Sequence, residues 1–105
     1  MTAVRFITDN GKLIGFGVSG HCTSDADDSL GKEVCAAVSS AAYMTANTLS
    51  EIIGAKLDAS VSDGDMSVMV LDKIGESQTV LEGFRLHITE LGKQYKSRIK
   101  VVSEV

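Results

Sequence analysis

One of the chain's two histidines and both of its cysteines fall between Ser19 and Ser40. His21 supplies an imidazole that can gain and lose a proton near neutral pH, and Cys22 and Cys35 supply thiols that react as thiolates. The element pattern places His21 at a strand end, directly after Gly20, and Cys35 in the first turn of a long helix. A helix N-terminus presents unpaired N–H groups and about half a positive charge, which favour thiolate over thiol. His21 is then a candidate general base, taking the thiol proton and returning it to a leaving amine. The first-turn N–H groups are candidate donors to an oxyanion. Ser39, four residues after Cys35, shares its helix face and is a candidate supporting hydroxyl. Ala36 and Ala37 leave room for a second chain or peptide, although helix packing accounts for small residues equally well.

The same residues admit other chemistry. His21, Cys22 and Cys35 with one of Asp25, Asp27 or Asp28 have the ligand types of a zinc site, but no paired Cys-x-x-Cys knuckle. A disulfide between Cys22 and Cys35 would make a redox switch. The "DADD" run lacks the ligand spacing and distal Glu of an EF-hand loop. A buried cysteine near a helix start is also commonly an inert small hydrophobe. His87, beside Leu86 and Ile88, reads as a packing or boundary histidine.

The elements that must hold these groups follow from periodicity. Ala3–Thr8 and Lys12–Ser19 are β-rich runs around "DNGK", where Asn-Gly signals a hairpin. The polar stretch Thr23–Lys32 reads as a mobile loop. Val34, Val38, Ala41, Thr45, Leu49 and Ile52 recur at three and four, predicting an amphipathic helix over about Glu33–Ile53 that Gly54 stops. Leu57–Val61 and Met66–Leu71 form a second hairpin through "SDGD". Leu81, Phe84, Ile88, Leu91 and Tyr95 predict a second helix, with Ser77 or Thr79 as N-cap, and "RIKVVSEV" closes as a fifth strand. The expected fold is α+β, a two-layer sandwich of a predominantly antiparallel sheet with two helices in the order ββαββαβ.

At 105 residues the chain is expected to form a single domain, residues 1–105. With 44% hydrophobic and 23% charged residues, its composition is that of a globular chain rather than a disordered one. A net charge of −4 offers no positive field for phosphate backbones, so no nucleic-acid partner is expected. No run approaches the roughly 18 apolar residues of a membrane span, and neither a signal peptide nor a disulfide framework is apparent. The expectation is a cytoplasmic protein without a membrane partner, cofactor or metal.

"SGHC", the acidic loop and "VCAAVSSAA" together resemble the paired signature of the ribosomal-processing cysteine protease family. In that family a Gly-His ends an early strand, and Cys-Ala-Ala-Val-Ser opens a helix after a loop. Length and element order fit as well. The resemblance implies His21 as general base, Cys35 as nucleophile and Ser39 as a supporting hydroxyl. It also implies a homodimer that trims an N-terminal extension from the precursor of large-subunit ribosomal protein twenty-seven. The family's substrate is cut after an apolar segment, ahead of a basic mature N-terminus. Small residues around Cys35 would admit the apolar side, and Asp25, Asp27 and Asp28 would attract the basic side. Cys22 stands where members often have alanine, and Lys32 where many have aspartate, with Glu33 adjacent. A non-catalytic ribosome-associated binding module and a thiol redox or metal sensor are the alternative readings.

Overall fold

Alternation sets the first two strands. In β1 (Thr2–Asp9) Thr2, Val4 and Phe6 are buried while Ala3, Arg5 and Ile7 are half-buried, as a strand with one core-facing side demands. Asn10 and Gly11 have φ of 52° and 77°, the positive pair that a two-residue hairpin turn of type I′ requires. β2 (Lys12–Gly20) then pairs antiparallel with β1. Ile7 faces Gly15 but Thr8 faces Leu13, so Ile14 is an extra residue, a β-bulge. The bulge lets Leu13 and Phe16 both enter the core, which strict alternation forbids. The computed structural model describes residues 1–20, 28–62 and 64–104.

α1 (Ser29–Asn47) begins with Asp28 as N-cap, its side chain accepting from the Gly31 N–H. The helix therefore starts four residues before the expected Glu33, and Ser29–Lys32 are helical where a loop was predicted. The rest of that loop lies outside the described residues. A wider π-helical turn, Thr48–Ile53, continues α1 and stops at Gly54 in the left-handed region. β3 (Leu57–Ser62) and β4 (Asp65–Val70) form the second hairpin.

α2 (Ile74–Gln94) also starts early. Lys73 holds the cap position without a side-chain cap, and the expected caps Ser77 and Thr79 lie inside the helix. Ser77 is buried and its hydroxyl donates to the Lys73 carbonyl at 2.8 Å. A cap contributes about 1 kcal/mol, whereas one fully buried Leu or Phe contributes about 1.5–3 kcal/mol. Burial of Leu81, Phe84 and Ile88 therefore decides where α2 lies. Gln78 locks it to β2 at the bulge, accepting from the Leu13 N–H at 2.8 Å and donating to the Leu13 carbonyl at 2.7 Å.

β5 (Ile99–Glu104) pairs parallel with β1, which makes the sheet mixed, in the order β3-β4-β2-β1-β5. Val34, Val38, Leu49, Leu81 and Ile88 from the helical layer share one core with Val4, Phe6, Phe16 and Val68 of the sheet. Phe84 centres it, its ring 5.5 Å from Phe6 and 4.7 Å from Phe16 between centroids. The α+β two-layer arrangement and the order ββαββαβ are as expected. Among the described residues no helix is long and apolar enough to cross a membrane.

Candidate active site

A cleft of about 310 Å³ opens where α1 meets the ends of β1 and β2 and the β3–β4 hairpin. Each wall has a local reason. On α1, positions three, four, seven and eight residues after Cys35 share its face, and Val38, Ser39, Ala42 and Tyr43 all line the cleft. Cys35 is half-buried and packs against the core, while Ser39 is exposed at the cleft wall. Thr2, Val18 and Gly20 form the strand wall. The third wall is the hairpin, with Val61 and Met66 as its apolar residues.

Gly20 is the last residue of β2. Its N–H donates to the Gly64 carbonyl at 3.1 Å, and its φ is 87°. A Cβ there would stand 2.6 Å from the Met1 carbonyl oxygen, so both backbone and space call for glycine. The next residue in the chain is His21. His21, Cys22, Asp25 and Asp27 lie outside the described residues.

Several expected placements change. Cys35 is the seventh residue of α1, not part of its first turn. The unpaired N–H groups of a helix belong to its first four residues, and the helix field fades within the first turn. Early N–H groups of α1 are engaged by Asp28, whose carboxylate accepts from Gly31 at 3.0 Å and whose carbonyl accepts from Lys32 at 3.1 Å. Cys35 therefore lies beyond the unpaired N–H groups of the helix start.

Asp28 is committed elsewhere as well, since its other carboxylate oxygen pairs with the Arg98 guanidinium. It caps the helix and pairs with Arg98, and it does not line the cleft. Ala36 is exposed and does not line the cleft; Ala42, one turn beyond Val38, is the small residue that does. Lys32 and Glu33 are exposed and likewise off the cleft. His87 is exposed on a separate groove between α1 and α2. Of the zinc set, Cys35 and Asp28 are described, and among the described residues no group of ligands is placed to hold a metal.

Ala42 and Tyr43 were missed in the sequence, although they stand seven and eight residues after Cys35, a spacing that puts them on its helix face. The hairpin wall had no local signal, because it depends on β4 lying next to β2.

Solved structures share this fold. An essential ribosomal processing protease Prp from S. aureus, crystallised with a covalently linked product peptide, matches with a TM-score of 0.86 at 19% identity, over 99% of this chain and 100% of that one. The same S. aureus protease with a substrate peptide matches at 0.87 and 18% identity, with the same coverage. A Streptococcus mutans protein matches at 0.77 and 26% identity, over 99% of this chain and 96% of that one. No curated protein matches the chain. The family model of cysteine protease Prp matches residues 1–100, and with a cysteine opening onto the cleft, the chain belongs to this family of peptide-bond hydrolases.

Proposed function

We propose that the protein is a cysteine endopeptidase that removes the N-terminal extension of a large-subunit ribosomal protein precursor, with Cys35 as nucleophile and His21 as general base. The observation that carries this reading is the shared cleft. Cys35 and Ser39 enter it from one helix face, and Gly20, the residue before His21, forms part of its opposite wall.

In the reaction His21 accepts the Cys35 proton as sulfur attacks the scissile carbonyl. The tetrahedral intermediate collapses with loss of the amine, to which His21 returns the proton, leaving a thioester. Water, deprotonated by His21, then attacks the thioester and releases the acid and the thiol. Ser39 is assigned a supporting hydrogen bond to the imidazole or the substrate.

The cleft's apolar residues, Val18, Val38, Ala42, Val61 and Met66, suit an apolar peptide segment. Asp25 and Asp27 are assigned the attraction of the basic residues that follow the cut. The ribosomal substrate draws support from the signature of the sequence and from the processing role and peptide complexes of the S. aureus protease. The same reading takes the protein as a cytoplasmic homodimer.

The test is steady-state hydrolysis of a peptide spanning the precursor's predicted cut, with binding followed separately by fluorescence anisotropy. Cys35→Ala is expected to abolish turnover while its peptide Kd stays within about threefold, because the nucleophile goes and the cleft remains. Retained turnover in that variant would remove Cys35 from the mechanism. Binding without turnover in the wild type would point to a non-catalytic module.

A further inference from the structure

Asp28, Arg98, Thr2 and Gly20 join opposite walls of the cleft. Asp28 caps α1 through Oδ1, 3.0 Å from the Gly31 nitrogen, and accepts from Arg98 Nη1 through Oδ2. The pair is largely buried, with side chains 9% and 24% exposed. Arg98 lies in the turn before β5, where its N–H donates to the Tyr95 carbonyl at 2.9 Å. Its own carbonyl accepts from the Thr2 N–H, also at 2.9 Å. Thr2 in turn sits opposite Gly20 across the β1–β2 ladder, and both residues line the cleft facing α1. The side chain of Arg98 thus grips the start of the helix that carries Cys35 and Ser39, while its backbone grips the strand wall.

A buried charge is tolerated only when paired, and a guanidinium holds a carboxylate in a directed geometry that an ammonium does not reproduce. Capping and tying are separable here. Removing Arg98 leaves the Asp28 cap on Gly31, so α1 keeps its first turn but loses its attachment beside Thr2. Reacting groups need placement to within about 0.5 Å, and an error of about 1 Å costs on the order of 100-fold in rate.

We propose that Asp28 and Arg98 form a positioning pair that fixes the start of α1, and through it Cys35 and Ser39, against Thr2 and Gly20 on the opposite wall of the cleft. As a statement about catalysis it rests on Cys35 being the nucleophile of the peptidase reading. Neither residue touches substrate; both act through the placement of α1.

The experiment compares wild type, Asp28→Asn, Arg98→Met, the double variant and Arg98→Lys, at a temperature where all are folded. Peptide hydrolysis gives kcat and KM, and mass spectrometry gives the rate of Cys35 alkylation by iodoacetamide at fixed pH. Each of Asp28→Asn and Arg98→Met is expected to lower kcat about 10- to 100-fold, with KM within about threefold. The double variant should be no worse than the worse single one, Arg98→Lys should recover part of the loss, and the alkylation rate should change in the same variants. Should Arg98→Met fail to fold, Asp28→Asn carries the test, since asparagine still caps a helix.

Unchanged kcat overturns the proposal, as does a double variant whose loss is the product of the single losses. If the wild type cleaves nothing but alkylation responds to the pair without further change in the double variant, the positioning stands and the peptidase reading falls. If the wild type cleaves and neither kcat nor alkylation responds, the positioning falls and the peptidase reading stands.

Discussion

Cys35 and Ser39 sit one helical turn apart on the same wall, yet only the sulfur is assigned bond-making. Their variants should therefore separate. Loss of a supporting hydrogen bond, worth about 0.5–1.5 kcal/mol, predicts that Ser39→Ala keeps activity with kcat reduced about 2- to 12-fold. His21→Ala, which on the proposed mechanism removes the general base, is expected to lose about 100- to 10,000-fold. Equal losses in the two variants, measured on one peptide, would contradict this division of roles. Gly20→Ala tests the backbone that precedes His21. Strain at φ 87° of about 1–3 kcal/mol, added to the clash with Met1, should lower the urea midpoint; an unchanged midpoint would show that the end of β2 tolerates a side chain. At this scale the Cys35 and Ser39 face was legible because helical spacing is local. The Asp28 pairing was not, since Arg98 lies seventy residues away.

Both helices were legible from apolar periodicity, but neither start was. Ser24, Asp25, Asp27, Asp28 and Ser29 are all acceptable caps, so composition does not choose among them. α2 begins at a lysine in the left-handed region, for which there is no capping signal. The misplaced start of α1 mattered chemically, because it put Cys35 in the wrong helical turn. Two variants test what sets the elements. Gln78→Leu strips the side-chain partners from the Leu13 N–H and carbonyl, and should destabilise the fold by about 1–3 kcal/mol in denaturant titration. Phe84→Ala removes the ring between Phe6 and Phe16, and should cost about 3–5 kcal/mol. A smaller loss for Phe84 than for Gln78 would reverse the claim that burial, rather than polar locking, places α2.

For the whole molecule, composition and the order of runs were enough to anticipate an α+β sandwich. The parallel pairing of β5 with β1 and the position of β4 beside β2 were not readable, because both depend on crossovers that bring distant segments together. That topology builds the third wall of the cleft, and so a site begun in one short sequence motif is completed by residues more than twenty positions further on. The homodimer reading predicts a solution mass of twice 11.1 kDa by light scattering, and a single-chain mass at working concentration would refute it. The most direct test of the central claim is intact-mass spectrometry of the ribosomal protein precursor after incubation, under reducing conditions, with wild type or Cys35→Ala. The account predicts one defined N-terminal cut by the wild type and none by the variant. No cut by folded wild type on a precursor that carries its extension, or the same cut by both proteins, would contradict it.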